Sequence, residues 1–130
     1  LHGLAAAYLA TGRPELAEPL FRRSLALTEA ARGPEHVENA PELLGLGQTL
    51  LARGRPREAL APLERALDLW RRDPRSGERV GEARFFHARA QWEAGLDRAQ
   101  ARRAAERALG ELEGVPRVLT RPQDVAAWLA

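Results

Sequence analysis

The sequence predicts an all-α protein: an α-solenoid in which antiparallel helix pairs stack side by side and a short C-terminal helix closes the end. Three observations predict it. The segment Gly12-Arg13-Pro14-Glu15-Leu16-Ala17 returns 42 positions later as Gly54-Arg55-Pro56-Arg57-Glu58-Ala59. Self-similarity at that period marks a two-helix unit that cannot bury its apolar face alone and stacks on its neighbours. Within one such unit, Ala59, Leu60, Leu63, Ala66, Leu67 and Trp70 form the stripe of a half-buried helix. The stripe recurs 42 residues on as Ala101, Ala105, Ala108, Leu109 and Leu112, broken only by Arg102.

Each element follows in order. The first helix spans about residues 1–11, and Gly12 supplies the left-handed residue that ends it. Pro14 opens the second helix, 14–32, at a position where the missing N–H has no partner to lose. Pro34 and Gly33 stop that helix, and Asn39 with Glu42 has the spacing of a capping pair for a third, about 39–53. Gly54 and Pro56 repeat the earlier turn and start the fourth helix, 56–72, which Asp73-Pro74-Arg75-Ser76-Gly77 ends. In the third unit the first helix aligns at a spacing of 41, matching Ala88 to Gly47 and Gly95 to Gly54. One residue is therefore inserted at Gly95-Leu96-Asp97, and Asp97 with Gln100 begins the last paired helix. The resulting organisation is one domain with helix pairs at 1–33, 38–72 and 78–113 and a cap at 120–130, whose Val125, Trp128 and Leu129 are expected to cover the last pair. Leu1 falls inside the first helix of a unit, so the chain is expected to be a piece of a longer one. Its N-terminal face would then be uncovered and able to self-associate.

All 20 basic residues are Arg, set against 18 acidic residues, and there is no Lys, Ile, Cys or Met. Such a composition is what a GC-rich bacterial genome produces, and a net charge of +2 with mixed signs gives little electrostatic drive toward nucleic acid or membrane. Without Cys there is neither disulfide nor thiol chemistry, as expected of a cytoplasmic protein. No apolar run approaches the ~20 residues of a membrane-spanning helix.

The residues Leu4-Ala5-Ala6-Ala7-Tyr8, then Gly12, then Leu16-Ala17-Glu18-Pro19-Leu20-Phe21-Arg22-Arg23-Ser24-Leu25 resemble the tetratricopeptide repeat, in particular the 42-residue type of kinesin light chains. The resemblance covers about residues 1–113. It implies a right-handed superhelix in which small residues at Ala5, Gly47 and Ala88 let the paired helices meet Ala17, Ala59 and Ala101. It also implies a non-catalytic role, binding a protein or peptide in the groove lined by the first helix of each pair. Groove positions carried across fall on His2, Ala6 and Leu9, on Leu44, Gln48 and Leu51, and on Phe85, Arg89 and Trp92. Where the pattern has an Asn that clamps a peptide backbone, this chain has Gly3, Gly45 and Phe86. The third unit and tail are also similar to the repeats that follow some bacterial serine/threonine kinase domains, which implies an alternative role as the regulatory tail of a larger signalling enzyme. No kinase motif lies in these residues.

Little else points to chemistry. His2, His36 and His87 lack neighbours at metal-ligand spacing, the glycines are separated helix stops and not a phosphate loop, and no cofactor is implied. Arg84, Arg89, Arg98, Arg102, Arg103 and Arg107 concentrate in the third unit, but Glu93, Asp97, Glu106 and Glu111 interleave with them as on a solvated helix face, and no aromatic ladder for bases accompanies them. If residues 120–130 cap the stack, deleting 115–130 will lower the melting temperature and promote association. An unchanged melting curve by circular dichroism would contradict the cap.

Overall fold

The computed structural model describes residues 1–112. They form six α-helices: α1 (His2–Ala10), α2 (Pro14–Arg32), α3 (Ala40–Ala52), α4 (Pro56–Arg71), α5 (Gly77–Glu93) and α6 (Arg98–Leu112). There is no strand among these residues. Each helix packs on the next in the chain, and the first helices of successive pairs also touch, α1 on α3 and α3 on α5. This is the layering of an α-solenoid. The expected cap at 120–130 lies outside the described residues.

The three hairpin turns are built alike. Gly12, Gly54 and Gly95 adopt φ of +78°, +74° and +74°, a region closed to most side chains. After each glycine the next N–H turns back onto the preceding helix: Arg13 donates to Tyr8 O at 2.8 Å, Arg55 to Leu50 O at 2.9 Å and Leu96 to Gln91 O at 3.0 Å. These bonds satisfy carbonyls that a helix end would leave orphaned. The inserted residue of the third turn is used at once, since the Gln100 N–H donates to Asp97 Oδ1 at 3.0 Å.

The start of α3 differs from the capping pair expected there. A short 3₁₀ turn, Val37–Asn39, precedes the helix, and the Asn39 side chain makes no cap. Its amide donates instead to Gly33 O at 2.7 Å, closing the linker between the first two pairs. Asn39 is fully buried in helical conformation, so its short side chain reaches backward to the carbonyl beyond α2. Glu42, the other half of the expected pair, turns toward His2.

The core runs through the small residues. Ala5, Ala17, Ala59, Ala88 and Ala101 are fully buried. A Cβ placed on Gly47 would collide with Leu63 of α4, and one on Gly45 with the ring of Phe21 of α2. Thus α3 is gripped on two sides, and ten of its 13 residues are buried. Between pairs, polar ties add to this contact. Arg65 of α4 bonds Glu29 of α2 at 2.9 Å, and Arg53 bonds Glu18 of α2 at 2.7 Å. Glu18 also accepts from Arg22 at 3.0 Å. Burial raises the affinity of the Glu18 carboxyl for its proton, but the hydrogen bonds and charges of Arg53 and Arg22 outweigh it and hold the group below its usual value.

Two outcomes follow. Gly45→Ala will destabilise the fold by about 1 kcal/mol, because overpacking against the buried Phe21 ring costs about 1–3 kcal/mol and the better helix former returns only about 1 kcal/mol; thermal or urea melts read this directly. A lowered carboxyl pKa stabilises the fold above the unfolded-state value and loses that contribution as pH falls through the folded-state value. The stability gap between wild type and Glu18→Gln is therefore full at neutral pH and closes below the ordinary glutamate value of 4.5, as paired melts at stepped pH will show.

Candidate functional site

The helices α1, α3 and α5 stand side by side and form one wall of the stack. Helical spacing sets what each contributes: His2, Ala6 and Leu9 from α1, Pro41, Leu44 and Gln48 from α3, and Arg79 and Phe86 from α5. Together with Phe21, whose ring enters the gap left by Gly45, they line an open cleft of about 400 Å³. Most of its lining is apolar. The polar groups gather at its rim. His2 Nδ1 lies 2.6 Å from Glu42 Oε1, and the imidazole meets the Phe21 ring edge-on at 5.7 Å. On the opposite side the Arg79 guanidinium lies 5.8 Å from the centre of the Trp70 ring and 3.7 Å from the carboxylate of Glu82. Glu82 is buried, and its second oxygen has no hydrogen-bond partner. Burial pushes its carboxyl above the usual range; the Arg79 charge works against that push and the Glu78 charge with it.

Of the expected groove residues the structure brings Leu9, Leu44 and Gln48 together on this cleft, with His2 and Ala6. The other four lie elsewhere. Leu51 and Phe85 are buried in the core. Arg89 bonds Glu93 one turn on at 2.6 Å, and half-buried Trp92 lies beneath the Arg98 guanidinium, 5.1 Å from its ring centre. Among the expected positions, α5 therefore contributes none to the cleft. The residues that do line it from α5, Arg79 and Phe86, were not among the groove assignments. Phe86 had a signal nonetheless, since it stands where the repeat pattern has its Asn and where α3 has Gly45. At that place the third pair carries its own ring, and the second carries the Gly45 gap that the Phe21 ring fills.

The arginines of the third pair are dispersed. Arg84 is buried and Arg102 lies 3.4 Å from Glu106, while Arg103 and Arg107 are exposed. A second cleft, of about 410 Å³, opens between α4, α5 and α6. Its origin is a change of residue type: Leu43, Leu46 and Leu50, all buried in α3, correspond at the 41-residue spacing to Arg84, His87 and Gln91 of α5, which line this cleft. Glu64, Asp68 and Arg71 of α4 face them. Burial lowers the His87 pKa, with the Arg71 and Arg84 charges acting in the same direction and those of Glu64 and Asp68 opposing it. Among the described residues no group of three or more His, Cys, Asp or Glu could hold a metal ion, and no helix is long and apolar enough to cross a membrane.

A family model described as tetratricopeptide repeat matches residues 1–72, more than half of the chain. The chain belongs to the tetratricopeptide repeat family. Comparison with curated proteins gives no match. The matched range ends with α4, so it holds the first two pairs and the leucine-packed junction between them. The third pair lies beyond it. There the repeat keeps its buried alanines, Ala88, Ala101, Ala105 and Ala108, and gives up its interhelical leucines. Tetratricopeptide repeats serve in general as protein-binding modules, and a curved wall of paired helices is the kind of surface they offer.

Proposed function

We propose that this chain is a non-catalytic interaction module that docks a protein or peptide segment in the cleft on the α1–α3–α5 wall. The observation that carries the reading is the cleft itself: an open, largely apolar hollow drawn from the first helices of all three pairs. Concave apolar sites with a few polar groups at the rim are where binding concentrates. Half-buried Leu9 and Ala6 would receive an apolar side chain of the partner above a floor formed by the buried Leu44 and Phe86, and Gln48 and Arg79 at the rim would meet its backbone or a polar neighbour. Extended-peptide capture through an asparagine ladder is not what this wall supports, because Gly3, Gly45 and Phe86 replace those amides. Recognition through a buried anchor is. A regulatory tail of a larger signalling enzyme would use the same surface, so that alternative changes the identity of the partner and leaves the contact as it is. Nucleic acid fits less well, since Arg89 and Arg102 of the third pair face acidic residues and Arg98 covers Trp92.

Selection from a displayed random-peptide library tests this. Enriched peptides will share an apolar anchor, and their affinity will fall on Leu9→Glu by about 10- to 100-fold, the equivalent of about 1.5–3 kcal/mol for burying one such side chain. Arg103→Glu, on exposed α6, will leave affinity within twofold. Failure to enrich any anchor, or equal binding by the Leu9→Glu protein, would refute the cleft as the docking site.

A further inference from the structure

We propose, resting on the reading of the α1–α3–α5 cleft as the docking site, that the docked segment carries a basic side chain, Lys or Arg, beside its apolar anchor and that Glu82 selects it. Glu82 is 2% exposed, and its Oε2 has no hydrogen-bond partner. Its Oε1 lies 3.7 Å from Arg79, beyond hydrogen-bond reach. A carboxylate taken out of water keeps its charge at low cost only where donors replace the lost hydration. The two other buried glutamates among the described residues have such donors: Glu18 accepts from Arg53 at 2.7 Å, and Glu42 lies 2.6 Å from His2 Nδ1. Glu82 alone of the three is left short, and burial pushes its carboxyl above the usual range.

Its place in the fold ties that unmade bond to the cleft. Arg79 and Phe86, both in the lining, stand on the same side of α5, one turn before and one turn after Glu82. At the 41-residue spacing Glu82 corresponds to Pro41 of α3, which also lines the cleft. Arg79 is exposed, and its contacts are the Trp70 ring at 5.8 Å and the long approach to Glu82, so it can turn aside for an entering donor. The balance of charge says which donor. Glu42 at one side of the cleft, with Glu78 and Glu82 at the other, sets three carboxylates against Arg79 and His2, and this surface stays net negative even with the imidazole protonated. Further along α5 the Arg89 charge is already taken up by Glu93. A backbone N–H of the partner would satisfy the Glu82 oxygen and leave the negative charge in place. An ammonium or guanidinium answers both needs, and charge-assisted hydrogen bonds are roughly twice as strong as neutral ones. An acidic side chain would be drawn to Arg79 but set against Glu78 and Glu82.

Parallel selections from one displayed random-peptide library, on the 130-residue chain and on its Glu82→Gln variant, test the proposal. The wild type will enrich peptides with Lys or Arg at a constant offset from the apolar anchor. Glu82→Gln, which keeps the shape and removes the charge, will enrich the same anchor without the basic neighbour. For one enriched peptide, replacing its basic residue by Ala will weaken binding to the wild type about tenfold and to Glu82→Gln by less than about twofold. Glu106→Gln, on exposed α6, will discriminate as the wild type does. Helical circular dichroism and a cooperative melt check that the variants are folded, and the wild-type pool alone decides the basic preference whatever their stability. An anchor with no basic neighbour, an anchor with an acidic one, or a basic preference that persists in Glu82→Gln would overturn the role of Glu82 and leave the cleft standing. A pool with no common anchor would remove the cleft, and the selection of a basic partner with it.

Discussion

Everything in this stack depends on how closely helices are allowed to approach α3. Two glycines of α3 two positions apart, Gly45 and Gly47, omit the atoms that would hold α2 and α4 away, and Phe21 and Leu63 fill the space so released. Dispersion between close-packed atoms is small per pair and large in sum, and it falls off steeply once a gap opens. A methyl group at either position therefore bears on more than local packing. The Phe21 ring that lies against Gly45 is also part of the cleft lining, so the depth of the candidate binding site and the cohesion of the first two pairs rest on the same missing side chain.

The two junctions of the stack are made of different material. Between the first and second pairs, buried leucines of α3 and the cluster of Glu18 with Arg53 and Arg22 join the helices. Between the second and third, Arg84, His87 and Gln91 of α5 face Glu64, Asp68 and Arg71 of α4 around a polar hollow. Half-buried ionisable groups bear a desolvation cost that leucines do not, which the lowered His87 pKa records. Apolar burial is the main source of cohesion between stacked repeats, and the second junction keeps it through the buried Trp70 of α4 and Val80, Phe85 and Phe86 of α5 beside the polar hollow. The α1–α3–α5 cleft shares no lining residue with this hollow; it draws Leu44 from α3 and Phe86 from α5.

Much of the fold was legible in the residues because its punctuation is local. A glycine with positive φ, a proline in the first turn and an apolar stripe each act over a few residues, so the turns at Gly12, Gly54 and Gly95 and the insertion before Asp97 could be placed from spacing alone. The start of α3 could not. Asn39 and Glu42 have the spacing of a capping pair, but each found a partner contributed by distant chain, Gly33 O and His2, and those contacts displaced the local one. The groove was legible by halves for a related reason. Positions carried from one pair to the next hold while the residue types hold. Leu9, Leu44 and Gln48 lie on the cleft, whereas in α5 the exchange of Gly45 for Phe86 brings a ring into it, and Phe85 and Trp92 are used in packing.

The amino-acid sequence by itself determined the helix pairs, their turns and the side of each helix that is buried, because those follow from backbone preferences and a 3.6-residue period that any short segment carries within itself. Only the tertiary structure decided which of the first-helix residues share a cleft and which arginines are occupied. Those outcomes depend on what stands next to a helix in space, and a repeat states its own surface without stating its neighbour.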